Sequence, residues 1–374
     1  MKSLVPYLEG RAHPTSLTAR LALQTLGGIG HLYGMVMAGR AALYRRHLFT
    51  SYRPPCPVIS VGNLSAGGTG KTPMVLWLAQ QLRRWHRPLA IVSRGYGTPA
   101  VQRPGQPRGV TLVADATGQR LAPPEAADEA ALLAQNLPGV VVLTGADRAR
   151  LIRYALAVQG AELILMDDGF QHLPVQRDLD LVLMDARQPL GNGFLLPGGI
   201  LRESPQALRR CDAILLTRCD SEPLFEQAST LLSRIVPGKP VFRVDHHPVA
   251  WRRLGSTTEL PLSALAAQPV LAFCGIARPD SFMNSLAQCQ VRSTGLRIFP
   301  DHGNYSRAIW ADLLCQARAT QAQAMVCTEK DAVKIDPEWI EPAMPLYVLR
   351  MALHFPQEPV WLLRRLAALM EPPR

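Results

Sequence analysis

Residues 57–72 read Pro57-Val58-Ile59-Ser60-Val61-Gly62-Asn63-Leu64-Ser65-Ala66-Gly67-Gly68-Thr69-Gly70-Lys71-Thr72. The β-branched run at the start, preceded by two prolines, predicts a buried parallel strand. A glycine-rich loop follows, and we predict a helix from Pro73 to about Trp85, because proline is tolerated in the first helical turn. Strand, glycine loop, Gly-Lys-Thr and helix in this order are typical of a P-loop.

In a P-loop the backbone N–H groups surround the phosphates of a nucleotide, the lysine reaches the β and γ oxygens, and the next hydroxyl binds Mg²⁺. Lys71 and Thr72 occupy these positions, and Ser65 stands where the first glycine is usual. The alternative is a chance glycine turn. We therefore predict ATP and Mg²⁺ as cofactors. The predicted nucleotide-binding residues are Ser65, Ala66, Gly67, Gly68, Thr69, Gly70, Lys71 and Thr72.

Short apolar runs alternate with helical periodicity over the rest of the chain. Strands are predicted at 89–93, 110–113, 140–144, 163–166, 179–185 and 213–217, the alternation ends near 241–244, and strands are predicted again at 269–273, 297–299, 324–327 and 346–349. Helices are predicted at 125–135 and 148–158. This alternation is typical of an α/β fold with a doubly wound, mostly parallel sheet.

Changes in this rhythm suggest the domain organisation. We predict an N-terminal apolar and basic helical segment at 1–50 and a P-loop domain at 51–245. An irregular linker is predicted at 246–267, followed by a second, smaller α/β domain at 268–374.

The run Leu163-Ile164-Leu165-Met166-Asp167-Asp168-Gly169 is an apolar strand that ends in two carboxylates. The carboxyl ends of parallel strands meet at one sheet edge, where the P-loop also lies. One of Asp167 and Asp168 is therefore predicted to organise Mg²⁺, directly or through water, and the other to contact a loop or the substrate. The alternative for either aspartate is a helix cap or an ordinary loop carboxylate.

Two further acidic pairs are weak signals by themselves. Asp128-Glu129 begins a predicted helix, where acidic residues are common because of the helix dipole. Asp301-His302 follows Phe299-Pro300 and fits an ordinary turn. The residues alone favour these plain interpretations.

The nineteen residues from Leu21 to Gly39 include no Asp, Glu, Lys or Arg, a length that just spans a bilayer. At helical spacing, Arg20, Gln24, Gly27, His31, Gly34 and Ala38 form a small and polar seam opposite Ala22, Leu26, Ile29, Tyr33 and Val36. Arginines flank both ends, at positions 20, 40, 45 and 46. We interpret the segment as a helix in a membrane interface with its basic flanks on anionic headgroups. The alternatives are a helix packed on the P-loop domain through its glycine seam, and a spanning helix.

The 374-residue chain carries a formal net charge of +11, and 48% of its residues are hydrophobic. Such a charge attracts polyanions, including nucleic acid, anionic lipid and phosphorylated ligands. No recognised nucleic-acid module is present, so nucleic acid is not an expected partner. The seven cysteines form no C-x-x-C pair, which disfavours a disulfide framework or a zinc site. The N-terminus does not resemble a secretory signal.

Several segments together resemble the tetraacyldisaccharide 4'-kinases of lipid A synthesis. They span roughly residues 15 to 335 in the family's order. The matching segments are 60–73, S-R-G-Y-G at 93–97, D-E at 128–129, D-R at 147–148, D-D-G-F-Q-H at 167–172, G-N-G at 191–193, L-L-P at 195–197, L-R-E at 201–203, G-I at 275–276, F-P-D-H at 299–302 and T-E-K-D-A-V-K at 328–334.

The resemblance implies transfer of the ATP γ-phosphate to the 4'-hydroxyl of an acylated glucosamine disaccharide 1-phosphate. It implies a peripheral or monotopic enzyme on the cytoplasmic face of the inner membrane, in contact with the anionic membrane surface. The implied fold is two α/β domains with an N-terminal membrane-associated helix.

The resemblance also implies roles for individual residues. Lys71 binds phosphate, Thr72, Asp167 and Asp168 organise Mg²⁺, and Asp128 is the general base. Glu129 is the acidic neighbour of Asp128, and Arg148 is an active-site arginine. The remaining implied residues are Gln171 and His172, which line the site, and His302, which pairs with the base. Gly303 stands where the family often has a second histidine.

Two other functions share single features with this sequence. A switch or partitioning ATPase also uses G-G-x-G-K-T, but commonly with a lysine early in the loop, where this chain has Ser65 and Ala66. A guanine-specifying N-K-x-D segment is missing, which favours ATP over GTP. A nucleic-acid-binding protein is suggested only by the net charge.

Overall fold

The structure is a computed structural model, and it describes residues 5–10, 17–95, 106–301 and 303–371. Its helices are α1 Val5–Leu8, α2 Leu17–Arg45, α3 Lys71–Leu82, α4 Asp128–Asn136, α5 Arg148–Gln159, α6 Glu222–Ile235, α7 Pro279–Gln288, α8 Arg307–Ala319, α9 Glu329–Ala332 and α10 Val360–Met370. Its strands are β1 Val58–Asn63, β2 Leu89–Ser93, β3 Thr111–Ala114, β4 Val141–Thr144, β5 Leu163–Asp167, β6 Leu179–Asp185, β7 Ala213–Thr217, β8 Val241–Arg253, β9 Glu259–Leu260, β10 Pro269–Cys274, β11 Arg292–Ile298, β12 Ala324–Thr328 and β13 Leu346–His354.

The chain forms two compact units, each made of separate stretches. Unit 1 comprises Met1–Arg94, Asp147–Asp245 and His354–Arg374, and unit 2 comprises Gly95–Ala146 and His246–Leu353. The sequence predicts domains that are continuous ranges, whereas residues 95–146 belong to the same unit as residues 246–353. This arrangement follows from long-range contacts that periodicity does not report.

Unit 1 contains a parallel sheet in the order β8-β7-β6-β1-β5-β2. Its central strands are apolar runs buried along their whole length, as expected for a parallel sheet covered on both faces. Helix α3 packs on β1 and β5, and α5 packs on β2. The carboxyl ends of β1, β5 and β7 therefore share one sheet edge, which is where the P-loop and Asp167 lie.

Unit 2 contains a parallel set in the order β11-β10-β12-β13. The end of β8 pairs antiparallel with β9, and β3 pairs antiparallel with β4. Phe273 lies in the core with its ring edge-to-face to Tyr305 and Trp310, at centroid distances of 5.6 and 6.3 Å. Helix α4 packs on β3, β4 and α9, which places the start of α4 close to the 328–334 segment.

The α/β fold with mostly parallel strands is confirmed, and the strands at 89–93, 179–185 and 213–217 have the predicted bounds. Two local predictions are wrong. The helix after the P-loop begins at Lys71 rather than Pro73 and becomes a 3-10 turn at Arg83–Trp85. The predicted irregular segment begins as strand, because β8 continues to Arg253 with Trp251 fully buried.

Helix α2 packs on the 191–199 loop of its own unit through glycines. A Cβ added to Gly30 would lie 2.7 Å from the carbonyl oxygen of Leu195, and one added to Gly198 would lie 2.7 Å from the Cα of Gly27. Gly34 contacts the side chain of Leu195. Close approach of two backbones requires residues without side chains here, so the glycine seam is a packing surface.

The opposite side of α2 is apolar and exposed. The exposed fractions are 54% for Leu21, 48% for Ile29, 60% for Leu32, 62% for Met35 and 68% for Val36. This exposed stripe only partly matches the predicted apolar face, because Ala22, Leu26 and Tyr33 are half-buried. Over the described part of the chain, none of the helices combines the length and apolar character needed to cross a bilayer.

Candidate active site

The P-loop connects the buried strand β1 to the first turn of α3. Gly67 and Gly70 have φ angles of 107° and 86°, in the left-handed region that glycine adopts without strain. The loop therefore turns its backbone sharply before Lys71, the first residue of α3. Backbone N–H groups at a helix N-terminus have no intrahelical acceptor and can bind phosphate oxygens.

Polar contacts from β1 and β7 fix the loop conformation. The Asn63 amide donates to the Gly67 carbonyl at 3.3 Å and to Thr69 Oγ1 at 3.1 Å. The Thr217 hydroxyl donates to the Thr69 carbonyl at 3.2 Å, and Arg218 Nη2 donates to the Gly68 carbonyl at 2.6 Å. The sequence analysis missed Thr217 and Arg218, although their position after an apolar strand is a signal similar to that of Asp167.

The carboxylates after β5 lie beside the P-loop lysine. Asp167 ends β5 and is 3% exposed, and Asp168 follows with a left-handed φ of 56°. Lys71 Nζ lies 3.5 Å from Asp168 Oδ1, and Arg202 Nη1 lies 2.9 Å from both carboxylate oxygens. Burial opposes the charge on Asp168, but Lys71 and Arg202 outweigh it and hold its pKa below the usual value. Arg202 belongs to the L-R-E segment, and the sequence alone predicts no role for it.

The glycines of this region are required by close packing. A Cβ at Gly169 would lie 2.5 Å from Ser60 Oγ, and one at Gly62 would lie 2.5 Å from the Cβ of Phe170. The Gly169 N–H also donates to the Val61 carbonyl at 3.1 Å. The turn after β5 is thereby pressed against β1, which sets the position of both aspartates.

Gln171 connects this turn to the P-loop strand. Its amide donates to the Asn63 carbonyl at 3.0 Å, and Arg202 Nη1 donates to its Oε1 at 3.4 Å. Arg40, near the end of α2, donates to the Gln171 backbone carbonyl at 3.2 Å. Gln171 therefore links the P-loop strand, Arg202 and the end of α2, and its place in the site stays a prediction.

His172 lies among cations in a partly buried position. Burial first, and then the charges of Arg148, Arg177 and Arg40, lower its pKa to about 4. Its side chain is therefore neutral near pH 7. Arg148 is buried at the start of α5, which is capped by the preceding Asp147.

Asp128 lies in unit 2, at the first turn of α4. Its side chain is 11% exposed, and Lys334 Nζ lies 3.6 Å from Oδ2. Lys334 is itself only 2% exposed and lies 3.5 Å from Asp331 Oδ1. Glu129, next along the helix, is exposed. His302 lies outside the described residues, so its predicted pairing with Asp128 stays a prediction.

The T-E-K-D-A-V-K segment holds Lys334 in place. Asp331 is fully buried and accepts from the Gly275 N–H at 3.0 Å, the Tyr305 hydroxyl at 2.9 Å and the Thr328 hydroxyl at 2.6 Å. The sequence analysis gave Lys334 no role. The spacing of the two lysines does not indicate which side chain is less exposed, and the structure gives 18% for Lys330 and 2% for Lys334.

The polar residues of each unit suit a different chemical task. In unit 1, a backbone cradle, a lysine and adjacent carboxylates suit a polyphosphate with a divalent cation. In unit 2, a reachable carboxylate with a buried ammonium suits proton transfer from a hydroxyl.

The sequence profile of the tetraacyldisaccharide-1-P 4'-kinase family matches residues 22–369. The chain belongs to this family. The tetraacyldisaccharide 4'-kinase of Syntrophus aciditrophicus (strain SB) is 40% identical over 307 residues, 80% of this chain and 80% of that one. That of Syntrophotalea carbinolica (strain DSM 2380 / NBRC 103641 / GraBd1) is 42% identical over 308 residues, 82% of each chain.

The fold is similar to a solved tetraacyldisaccharide 4'-kinase structure as well. The crystal structure titled "apo" form LpxK from Aquifex aeolicus in complex with ATP matches with a TM-score of 0.75 at 28% identity, covering 94% of this chain and 100% of that one. The family assignment from the sequence is confirmed. The kinase performs the ATP-dependent 4'-phosphorylation of tetraacyldisaccharide 1-phosphate in lipid A biosynthesis.

Proposed function

We propose that this kinase binds the triphosphate of ATP on residues 65–72 and uses Asp128 to take the proton of the substrate's 4'-hydroxyl. The proposal that ATP binds here is supported by the ion pair between Lys71 and Asp168 at the edge of the P-loop. It supports a site where Lys71 is available to the β and γ oxygens and is oriented before ATP binds.

The residues around the P-loop also fit a magnesium ion. The donor set is the Thr72 hydroxyl with the carboxylates of Asp167 and Asp168, and oxygen ligands of this kind are those that Mg²⁺ prefers. When bound, Mg²⁺ would neutralise charge on the β and γ phosphates. Asp168 is already paired with Lys71 and Arg202, so it also links the two cations nearest the loop.

The transfer step has a simple balance. The 4'-hydroxyl oxygen forms a bond to the γ-phosphorus, and the bond from that phosphorus to the bridging oxygen of ADP breaks. ADP leaves with the electron pair, and the hydroxyl proton goes to the Asp128 carboxylate. A carboxylate fits this role when it lies within hydrogen-bond reach of the hydroxyl, and the 11% exposure of Asp128 leaves it accessible.

The remaining predicted residues take supporting roles. Arg148, which is buried at the start of α5, would neutralise phosphate charge. Gln171 and neutral His172 would line the site, with Gln171 holding Arg202. Glu129 would add an acidic group beside the base, and His302 would orient Asp128.

We infer further that the kinase works on the cytoplasmic face of the inner membrane, bound peripherally to the anionic surface. The support is the exposed apolar stripe of α2 together with Arg20, Arg45 and Arg46 at its ends. Apolar side chains would enter the headgroup region while the arginines contact anionic lipid. An acylated substrate would lie in the same layer, because its acyl chains favour the membrane interior.

The test of this function is phosphate transfer by the purified kinase in detergent, with γ-labelled ATP, Mg²⁺ and tetraacyldisaccharide 1-phosphate. Asp128→Asn should lower kcat by about 10²–10⁴-fold, the usual contribution of a general base. Glu338→Gln, which alters an exposed carboxylate of the same unit, is the matched control and should retain wild-type kcat. Wild-type turnover by Asp128→Asn would assign the base role to another group.

A further inference from the structure

Lys334 has a buried side chain, and the proposed phosphate transfer gives this cation no role. Its side chain is 2% exposed, with Nζ 3.6 Å from Asp128 Oδ2 and 3.5 Å from Asp331 Oδ1. Nζ also donates to the Gly303 carbonyl at 3.0 Å and lies 5.4 Å from the centroid of the Tyr305 ring. A buried ammonium is costly unless it is paired, so these contacts together hold Lys334 in one place.

The two carboxylates beside Lys334 differ in what they can do. Asp331 is fully buried and already accepts three hydrogen bonds, from Gly275, Tyr305 and Thr328. Asp128 is partly exposed and stands at the start of α4. Asp331 therefore has a fixed position and holds Lys334 in place. Lys334 in turn interacts with Asp128, whose carboxylate a substrate can reach.

We propose that Lys334 is a positioning residue for Asp128, holding its carboxylate in the orientation needed to receive the hydroxyl proton. This inference rests on the proposed role of Asp128 as the base. Attraction at 3.6 Å in a buried setting restricts the rotamers of a carboxylate. Misplacement of a reacting group by about 1 Å can cost about 10²-fold in rate, so such restriction has a kinetic effect.

A double-mutant cycle separates this role from a merely structural one. The four forms are wild type, Lys334→Met, Asp128→Asn and the double variant, each assayed for kcat and for KM of ATP. Lys334→Met should lower kcat by about 10- to 100-fold with the KM of ATP within about twofold. In the Asp128→Asn background the same change should cost less than about threefold, because no base remains to be positioned.

Further variants keep the test decisive. Lys334→Arg preserves the charge and should recover most of the lost kcat. Lys334→Gln removes the charge but keeps a donor for the Gly303 carbonyl, and it replaces Lys334→Met if that variant does not fold. Arg297→Met removes a cation from an exposed ion pair of the same unit and should match wild type.

The outcomes are distinct. Equal losses from Lys334→Met with and without Asp128, or failure of every uncharged variant to fold, would assign Lys334 to stability alone and overturn the proposal. If Asp128→Asn itself turns over at the wild-type rate, the base assignment fails first and the positioning role fails with it. A loss of kcat from Lys334→Met that occurs only when Asp128 is present supports both the base role of Asp128 and the positioning role of Lys334.

Discussion

The Nζ atom of Lys71 lies 3.5 Å from Oδ1 of Asp168, so the cation of the P-loop and the carboxylate after β5 form an ion pair. Arg202 contacts both oxygens of the same carboxylate at 2.9 Å. One aspartate thus fixes two cations beside the phosphate-binding backbone. Pre-positioned charges of this kind do not need to reorganise when a phosphate arrives.

Removal of Arg202 should therefore affect both turnover and its pH dependence. Arg202→Met should lower kcat/KM for ATP by about tenfold or more, since one charged donor near the developing phosphate charge is lost. Arg202 also helps to lower the pKa of Asp168. Without Arg202, Asp168 should protonate at higher pH, and the acidic limb of the pH–rate profile should shift to higher pH.

The control for this variant is Arg187→Met in the same unit. Arg187 pairs with Asp220 at the surface, with side-chain exposures of 49% and 56%, and such pairs contribute little. An unchanged acidic limb in Arg202→Met would show that Asp168 does not control the observed pH dependence.

The parts of the site that the sequence predicts are local ones. The P-loop and the Asp167-Asp168 pair each follow an apolar strand directly, so strand order alone places them at one edge. Arg202 contacts Asp168, and Thr217 and Arg218 contact the P-loop, each across more than 30 residues of sequence. No periodicity reports such distances.

Unit boundaries were less predictable for a related reason. Residues 95–146 follow β2 of unit 1 but belong to unit 2, and the chain returns to unit 1 at Asp147. Strands and helices alternate along the chain in both units, so the sequence pattern shows no break at 95 or 146. Likewise, β8 continues past 245 although Pro248 does not favour a strand.

His172 should make the stability of the kinase sensitive to acid. Burial and the nearby arginines lower its pKa to about 4 in the folded state, whereas an unfolded histidine titrates near 6.5. Between these values the unfolded chain binds more protons, so the free energy of unfolding should fall as pH decreases from about 6.5 to 4.

Urea unfolding at pH 7.0 and pH 4.5 checks this prediction. His172→Gln should reduce the difference in the free energy of unfolding between the two pH values. The difference that remains comes from other titrating groups. His86→Gln, at an exposed turn after α3, is the matched control. Equal pH dependence in His172→Gln and wild type would contradict the assigned cause.

The glycines of α2 should differ sharply in their tolerance of alanine. Gly30→Ala places a Cβ 2.7 Å from the Leu195 carbonyl oxygen, a backbone atom that cannot move freely. It should lower the free energy of unfolding by about 1–3 kcal/mol. Gly28 has no heavy atom within 4 Å of its added Cβ, so Gly28→Ala should raise it by up to about 1 kcal/mol through helix propensity. Denaturant unfolding in detergent measures both, and similar effects from the two changes would show that α2 is not packed on this loop.

Membrane binding should depend on the exposed stripe of α2 rather than on exposed apolar side chains in general. Leu32 and Val36 are 60% and 68% exposed on this helix. Burial of one such side chain is worth about 1.5–3 kcal/mol, so Leu32→Glu or Val36→Glu should lower binding to anionic vesicles by about tenfold or more. Val158 is 61% exposed on α5 and far from α2 in sequence, which makes Val158→Glu a control with the same change in charge. Vesicle flotation of the full chain measures the bound fraction. Equal losses from Val158→Glu and Val36→Glu would indicate a general charge effect, whereas a loss confined to α2 identifies its stripe as the membrane-binding surface.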